Sequence, residues 1–85
     1  MTIIEKKCEK KWFNKILSGK KNFEVRLADF EVKEGDTLIL NETINGKPTG
    51  RKIEKKVLMV GKTKDMNYWP KEDIDKYGFQ IIGLE

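Results

Sequence analysis

The chain contains no histidine, a single cysteine and only two prolines among its 85 residues. Without histidine, Ser-His and Cys-His nucleophilic systems and the usual zinc-bound water sites are excluded, so any catalysis must draw on lysine, carboxylate, tyrosine or threonine. One cysteine, Cys8, rules out an internal disulfide, and its expected role is that of a small buried hydrophobe. No apolar run approaches the roughly 20 residues of a membrane span, and no signal-peptide core follows Met1. A cytoplasmic location without a membrane partner is therefore expected. No glycine-rich phosphate loop follows a strand, and neither a cofactor nor a metal is expected.

What the chain does have is charge. Apolar and charged residues each make up 38 %, too apolar for disorder and too charged for a membrane protein. Eighteen Lys and Arg against fourteen Asp and Glu give a formal charge of +4, which favours polyanionic partners. The basic residues cluster at Lys6–Lys7, Lys10–Lys11, Lys20–Lys21, Arg51–Lys52 and Lys55–Lys56, each able to neutralise phosphates if the fold gathers them on one face. Eighty-five residues suit one domain spanning 1–85, with any site on its surface or in a shallow cleft. Trp12, Phe13, Phe23, Trp69 and Phe79 are the large residues expected to fill its core.

Residues 2–7 read as a first strand. From 9 to 18, Phe13, Ile16 and Leu17, with Trp12 beside them, follow helical spacing, and Gly19 stands where a helix C-cap is expected. Residues 22–27 alternate, which predicts a half-buried strand with Phe23, Val25 and Leu27 inward and the charged Glu24 and Arg26 outward. The Gly35-Asp36 turn leads into a buried strand from Thr37, and Asn45-Gly46 is a hairpin signal, with Pro48 and Gly50 suggesting a loop longer than two residues. A helical turn over 71–76 and a last strand at 79–84 follow. One convincing helix among several strands predicts an α+β domain, a small, mainly antiparallel β-barrel.

The densest polar constellation is Gly19-Lys20-Lys21-Asn22-Phe23-Glu24-Val25-Arg26. Glu24 and Arg26 share one strand face roughly 6.5–7 Å apart and can flank one polar ligand edge, the carboxylate accepting from amines or hydroxyls and the guanidinium donating to carbonyls or phosphate. The same spacing also suits an ordinary ion pair that only solvates the sheet. Tyr68 and Trp69 before Pro70 offer faces for an unpaired base or pack a loop onto the core. Glu72, Asp73 and Asp75 read as a solvated acidic turn.

The segment resembles the signature of the ASCH superfamily, Gly-x-Lys-x-x-Glu-x-Arg, which Gly19, Lys21, Glu24 and Arg26 match at every fixed position. Trp12-Phe13, Gly35-Asp36-Thr37-Leu38, Thr49-Gly50-Arg51 and the closing Tyr77-Gly78-Phe79 to Ile82-Gly83 extend the resemblance over most of the chain, towards a compact single-domain branch. It implies a PUA-like barrel that recognises RNA or a modified nucleoside in a cleft beside the helix and the signature strand. Gly19 would shape the turn, Lys21 would project into the cleft, and Glu24 and Arg26 would line it. Lys20, Lys7 and Arg51 are further expected binding residues, Arg51 either reaching the cleft or lying over the strand surface. Some members resemble amidohydrolases acting on N-acetylated cytidine, and others have been linked to RNA cleavage. In either activity Lys21 would be the base and Glu24 its partner. The threonine that the deacylating branch uses falls here at Glu24, and the histidine common in the first strand falls at Ile4. A protein-interaction role at an exposed sheet edge is the remaining alternative.

Overall fold

The computed structural model describes residues 1–65, 69–76 and 78–85. Strand β1 (Ile3–Glu9) runs directly into helix α1 (Lys10–Leu17), followed by β2 (Phe23–Leu27), β3 (Thr37–Ile44), β4 (Lys47–Lys62), a short 3-10 turn (Thr63–Asp65), α2 (Lys71–Lys76) and β5 (Phe79–Leu84). The five strands form one sheet in the order β1-β3-β4-β5-β2, parallel only between β1 and β3. Parallel neighbours need a long crossover, and α1 with β2 supplies it. The result is the expected α+β domain, barrel-like but not closed. The two edge strands are joined by a side chain rather than a backbone ladder, the Arg26 Nη2 donating to the Lys7 carbonyl at 2.5 Å. No helix among the described residues is long and apolar enough to cross a membrane.

Helix α1 buries a narrow stripe. Phe13 and Ile16, one turn apart, enter a core of Cys8, Val32, Leu38, Leu40, Val57, Ile82 and Leu84. Their neighbours Trp12 and Leu17 stay outside. The helix ends as the sequence predicts: Gly19 adopts φ +81°, its N–H bonds the Ile16 carbonyl, and the Lys20 N–H reaches back to the Lys15 carbonyl. Only a residue without a Cβ takes this left-handed position cheaply. The Asn45-Gly46 hairpin likewise has positive φ at both centres, 51° and 81°. Ile44 pairs directly with Lys47, so the loop is the two-residue turn and not a longer one. Asp36 ties the entry to β3 by accepting from the backbone N–H groups of Thr2 and Lys33.

Two further expectations are corrected. Of the five aromatic residues expected in the core only Phe13 enters it; Trp12, Phe23, Trp69 and Phe79 are 44 to 61 % exposed. The alternation in β2 is real, but its faces are reversed. Phe23, Val25 and Leu27 point outward while Glu24 is 5 % exposed and Arg26 partly buried. A period of two establishes that the faces differ, not which one turns inward. Here the inner positions of β5 that pair with Glu24 and Arg26 are Ile82 and Gln80, and the two charges satisfy each other beneath the helix end.

Candidate nucleotide-binding cleft

The reversed face of β2 builds the floor of a cleft of about 630 Å³ between the two edge strands and the end of α1. Lys7, Cys8 and Glu9 of β1, Trp12 and Lys15 of α1, Lys20 and Lys21 of the turn, and the stretch 23–26 of β2 line it. Because Gly19 reverses the chain, Lys21 lies over the start of β2. Its ammonium donates to the Phe23 carbonyl and to Glu24 Oε1, both at 2.7 Å. Arg26 Nε donates to the other carboxylate oxygen, Oε2, at 2.8 Å. Glu24 is thus a buried anion with a cation on each oxygen, an arrangement that fixes both cations in place. Arg26 uses Nε and Nη2 on protein acceptors, which leaves Nη1; the Lys21 ammonium keeps one proton.

The cleft as a whole is electropositive, with five cationic side chains against the carboxylates of Glu9 and Glu24. Trp12, 45 % exposed, gives it an aromatic wall. Cys8 contributes a buried thiol, and its pKa is raised, chiefly by burial and then by the nearby Glu24 charge, which keeps it protonated and poorly nucleophilic.

Gly19, Lys20, Lys21, Glu24, Arg26 and Lys7 are therefore brought together, with Gly19 shaping the turn. Arg51 is not among the residues that line the cleft. It grips Glu42, Nε to Oε1 at 2.9 Å and Nη2 to Oε2 at 2.6 Å, bonds Asn14 of α1 and lies over the Phe13 ring. The register shows how. Between the pairs Asn41–Lys52 and Thr43–Pro48, the single residue Glu42 faces the three residues Thr49, Gly50 and Arg51, which bow around it. Gly50 makes the bend at φ +91°, and Thr49 adds a 2.6 Å hydrogen bond to Glu42. Glu42 was missed from sequence; an acidic residue inside an apolar strand opposite Thr-Gly-Arg is the signal that identifies it. The clamp lies beside the cleft, since Cys8 of its lining pairs in register with Glu42.

Trp69 lines a separate apolar pocket with Pro70, Ile74 and Phe79, while Tyr68 and Tyr77 lie outside the described residues. Among the described residues no group of three or more metal-ligating side chains gathers.

The hydrogen bonds from Arg51 and then Thr49 hold the Glu42 carboxyl at about 2, down from 4.5. A carboxyl depressed in the native state contributes stability above its unfolded pKa and loses it as pH falls through the folded value. The thermal midpoint is therefore expected to be flat above pH 4.5 and to fall towards pH 2. Asp36, lowered by the Thr2 and Lys33 N–H groups, acts in the same direction. Glu42→Gln should lower the midpoint at neutral pH and make the acid loss shallower, as a calorimetric pH series would show.

The ASCH domain family model matches residues 7–85, nearly the whole chain. The chain belongs to the ASCH domain family. A relative from Escherichia phage P2, described as "Uncharacterized 12.9 kDa protein in GpA 3'region", is 43 % identical over 67 residues. That match covers 79 % of this chain and 59 % of the phage protein, so the chain spans about three fifths of that relative's length. The crystal structure of hypothetical protein PH0355 superposes with a TM-score of 0.67 over all of this chain and 98 % of that one, at 20 % identity, which supports the fold. In this ASCH domain the signature residues have distinct physical tasks: the glycine caps the helix, and the lysine and arginine are set by the glutamate between them.

Proposed function

We propose that this ASCH domain is a binding module that holds a nucleotide of single-stranded RNA, or a free modified nucleotide, in the cleft over Glu24. The observation that carries this reading is the use of both Glu24 oxygens by Lys21 and Arg26. With the Glu24 carboxylate engaged, the floor of the cleft offers donors and positive charge to a ligand rather than an acceptor. Phosphate oxygens and base carbonyls fit it, and exocyclic amines fit it less well. Lys7, Lys15 and Lys20 extend the positive rim along a strand, and Trp12 provides a face on which a base stacks.

The same geometry favours binding over turnover. The two 2.7 Å hydrogen bonds that hold Lys21 on Phe23 and Glu24 support a role as a positioned cation rather than as a general base.

Calorimetric titration with a nucleoside, its monophosphate, N-acetylated cytidine and a short single-stranded RNA tests the proposal when the ligands are followed by NMR for product. The phosphate-bearing ligands should bind and remain intact, with log Kd for RNA changing with log salt by a slope of about 2–3 for three or four neutralised phosphates. Acetate release or shortened RNA would replace the binding reading with a hydrolase, and absence of binding to every ligand would overturn it.

A further inference from the structure

Phe23 and Val25 border the cleft although their side chains point outward, that of Val25 being 51 % exposed. The register explains how. The Leu84 N–H bonds the Asn22 carbonyl and the Ala28 N–H bonds the Gly78 carbonyl, so the even-numbered residues of β2 carry its ladder to β5. In an antiparallel pair the residues between them turn their N–H and C=O groups the other way. Strand β2 ends the sheet, and for Phe23 and Val25 that direction is the cleft. The opposite wall is built alike. On β1 the Thr37 N–H bonds the Thr2 carbonyl, which leaves the main-chain groups of Lys7 turned away from β3. Side chains already use two of these edge groups: Lys21 bonds the Phe23 carbonyl and Arg26 the Lys7 carbonyl. Among the described residues, neither the N–H nor the C=O of Val25 has a partner.

One donor and one acceptor therefore stand side by side in the cleft wall, on the strand that also carries Glu24 and Arg26. An added peptide strand needs a continuous row of such groups. Here the row is broken, because Lys21 occupies the Phe23 carbonyl and Arg26 ties the facing edge across. A nucleobase needs only one donor beside one acceptor, and it presents them on its pairing edge when it is not in a duplex. We propose that the free edge of β2 reads the base. The Val25 N–H donates to a carbonyl or ring nitrogen of the pairing edge, and the Val25 C=O accepts from the adjacent N–H. The inference rests on the binding reading above and adds a selection to it: a nucleotide with an open pairing edge is accepted, and one blocked there is refused.

Calorimetric titration of the full chain with uridine monophosphate and its 3-methyl and 5-methyl derivatives tests this, because uracil has a single donor, the N–H at ring position 3. The 5-methyl compound should bind within about twofold of the parent, and 3-methylation should weaken binding about ten- to a hundredfold. Val25→Pro removes the N–H at an edge position where proline leaves the ladder intact. It should keep the wild-type circular dichroism and lose affinity for uridine monophosphate by a similar factor. Hydrogen exchange on the wild-type chain decides the matter if that variant does not fold. The Val25 amide should exchange fast beside protected Glu24 and Arg26 amides, and slow down on saturation with uridine monophosphate. Equal affinity for the 3-methyl compound, or a Val25 amide that is protected without ligand or unchanged by it, would overturn the inference and leave the binding reading standing. Failure of uridine monophosphate to bind would also overturn it, since main-chain groups accept any open-edged base, and the RNA titration above shows whether the binding reading falls with it.

Discussion

Phe13→Ala is expected to remove about 3–5 kcal/mol of stability, the range for deleting a buried aromatic side chain. Phe13 is 1 % exposed and, among the described residues, is the one fully buried aromatic of a core otherwise made of aliphatic residues and Cys8, with Phe30 packed against its edge. A domain of this size has a total stability of roughly 4–13 kcal/mol, so the loss is a large fraction of the whole. It should fall towards the upper end because the ring also supports Arg51, whose guanidinium lies 5.0 Å above it and holds Glu42. Urea unfolding would show the midpoint shift. Trp12, the preceding residue, provides the contrast. At 45 % exposure its replacement by alanine should change stability by well under 1 kcal/mol. If a base stacks on it, the same change should weaken RNA binding about five- to 150-fold. Two adjacent aromatics on one helix thus separate folding from function, since they project from different sides of α1.

The second large effect concerns Arg26. Arg26→Ala removes the donor to Glu24 Oε2, the bridge to the Lys7 carbonyl and the Nη1 left for a ligand. RNA affinity should fall about ten- to a hundredfold, as truncating a charge-assisted partner does. Arg26→Lys should recover only part of this. An ammonium lacks the planar fork that serves Glu24 and Lys7 at once while still presenting a further N–H. Arg51→Ala is the matching control: it lies outside the cleft and breaks the Glu42 clamp, so it should lower the unfolding midpoint and leave affinity within about twofold. Fluorescence anisotropy of a labelled RNA, read alongside thermal unfolding, distinguishes the two arginines.

The order of elements was legible because it rests on local signals. The i, i+3 pair Phe13 and Ile16, the left-handed glycines at 19 and 46, and the Asn-Gly turn all act within a few residues of chain. The orientation of β2 was not legible, because it depends on which strand it joins and on what covers that strand. Glu24 turned inward only because Lys21, delivered by the Gly19 turn, and Arg26, two residues along, neutralise it there. Single-sequence reading assigns such a carboxylate to solvent by default, since unpaired burial is costly. The outward position of Phe23 follows from the same reversal. Arg51 was legible as a candidate, either at the cleft or over the strand surface, but its grip on Glu42 was not: the bulge opposite Glu42 could be seen only from the register of β3 and β4.

The most direct test of the cleft is to follow the side-chain resonances of Arg26 Nε and Lys21 Nζ while short single-stranded RNA is titrated into the labelled protein. The predicted result is saturable, coupled shifts of these two signals and of the Trp12 indole, with the outward residues Leu27 and Ile81 unmoved. If the RNA binds and those signals stay in place while shifts gather on the lysines of β4, the cleft is not the binding site.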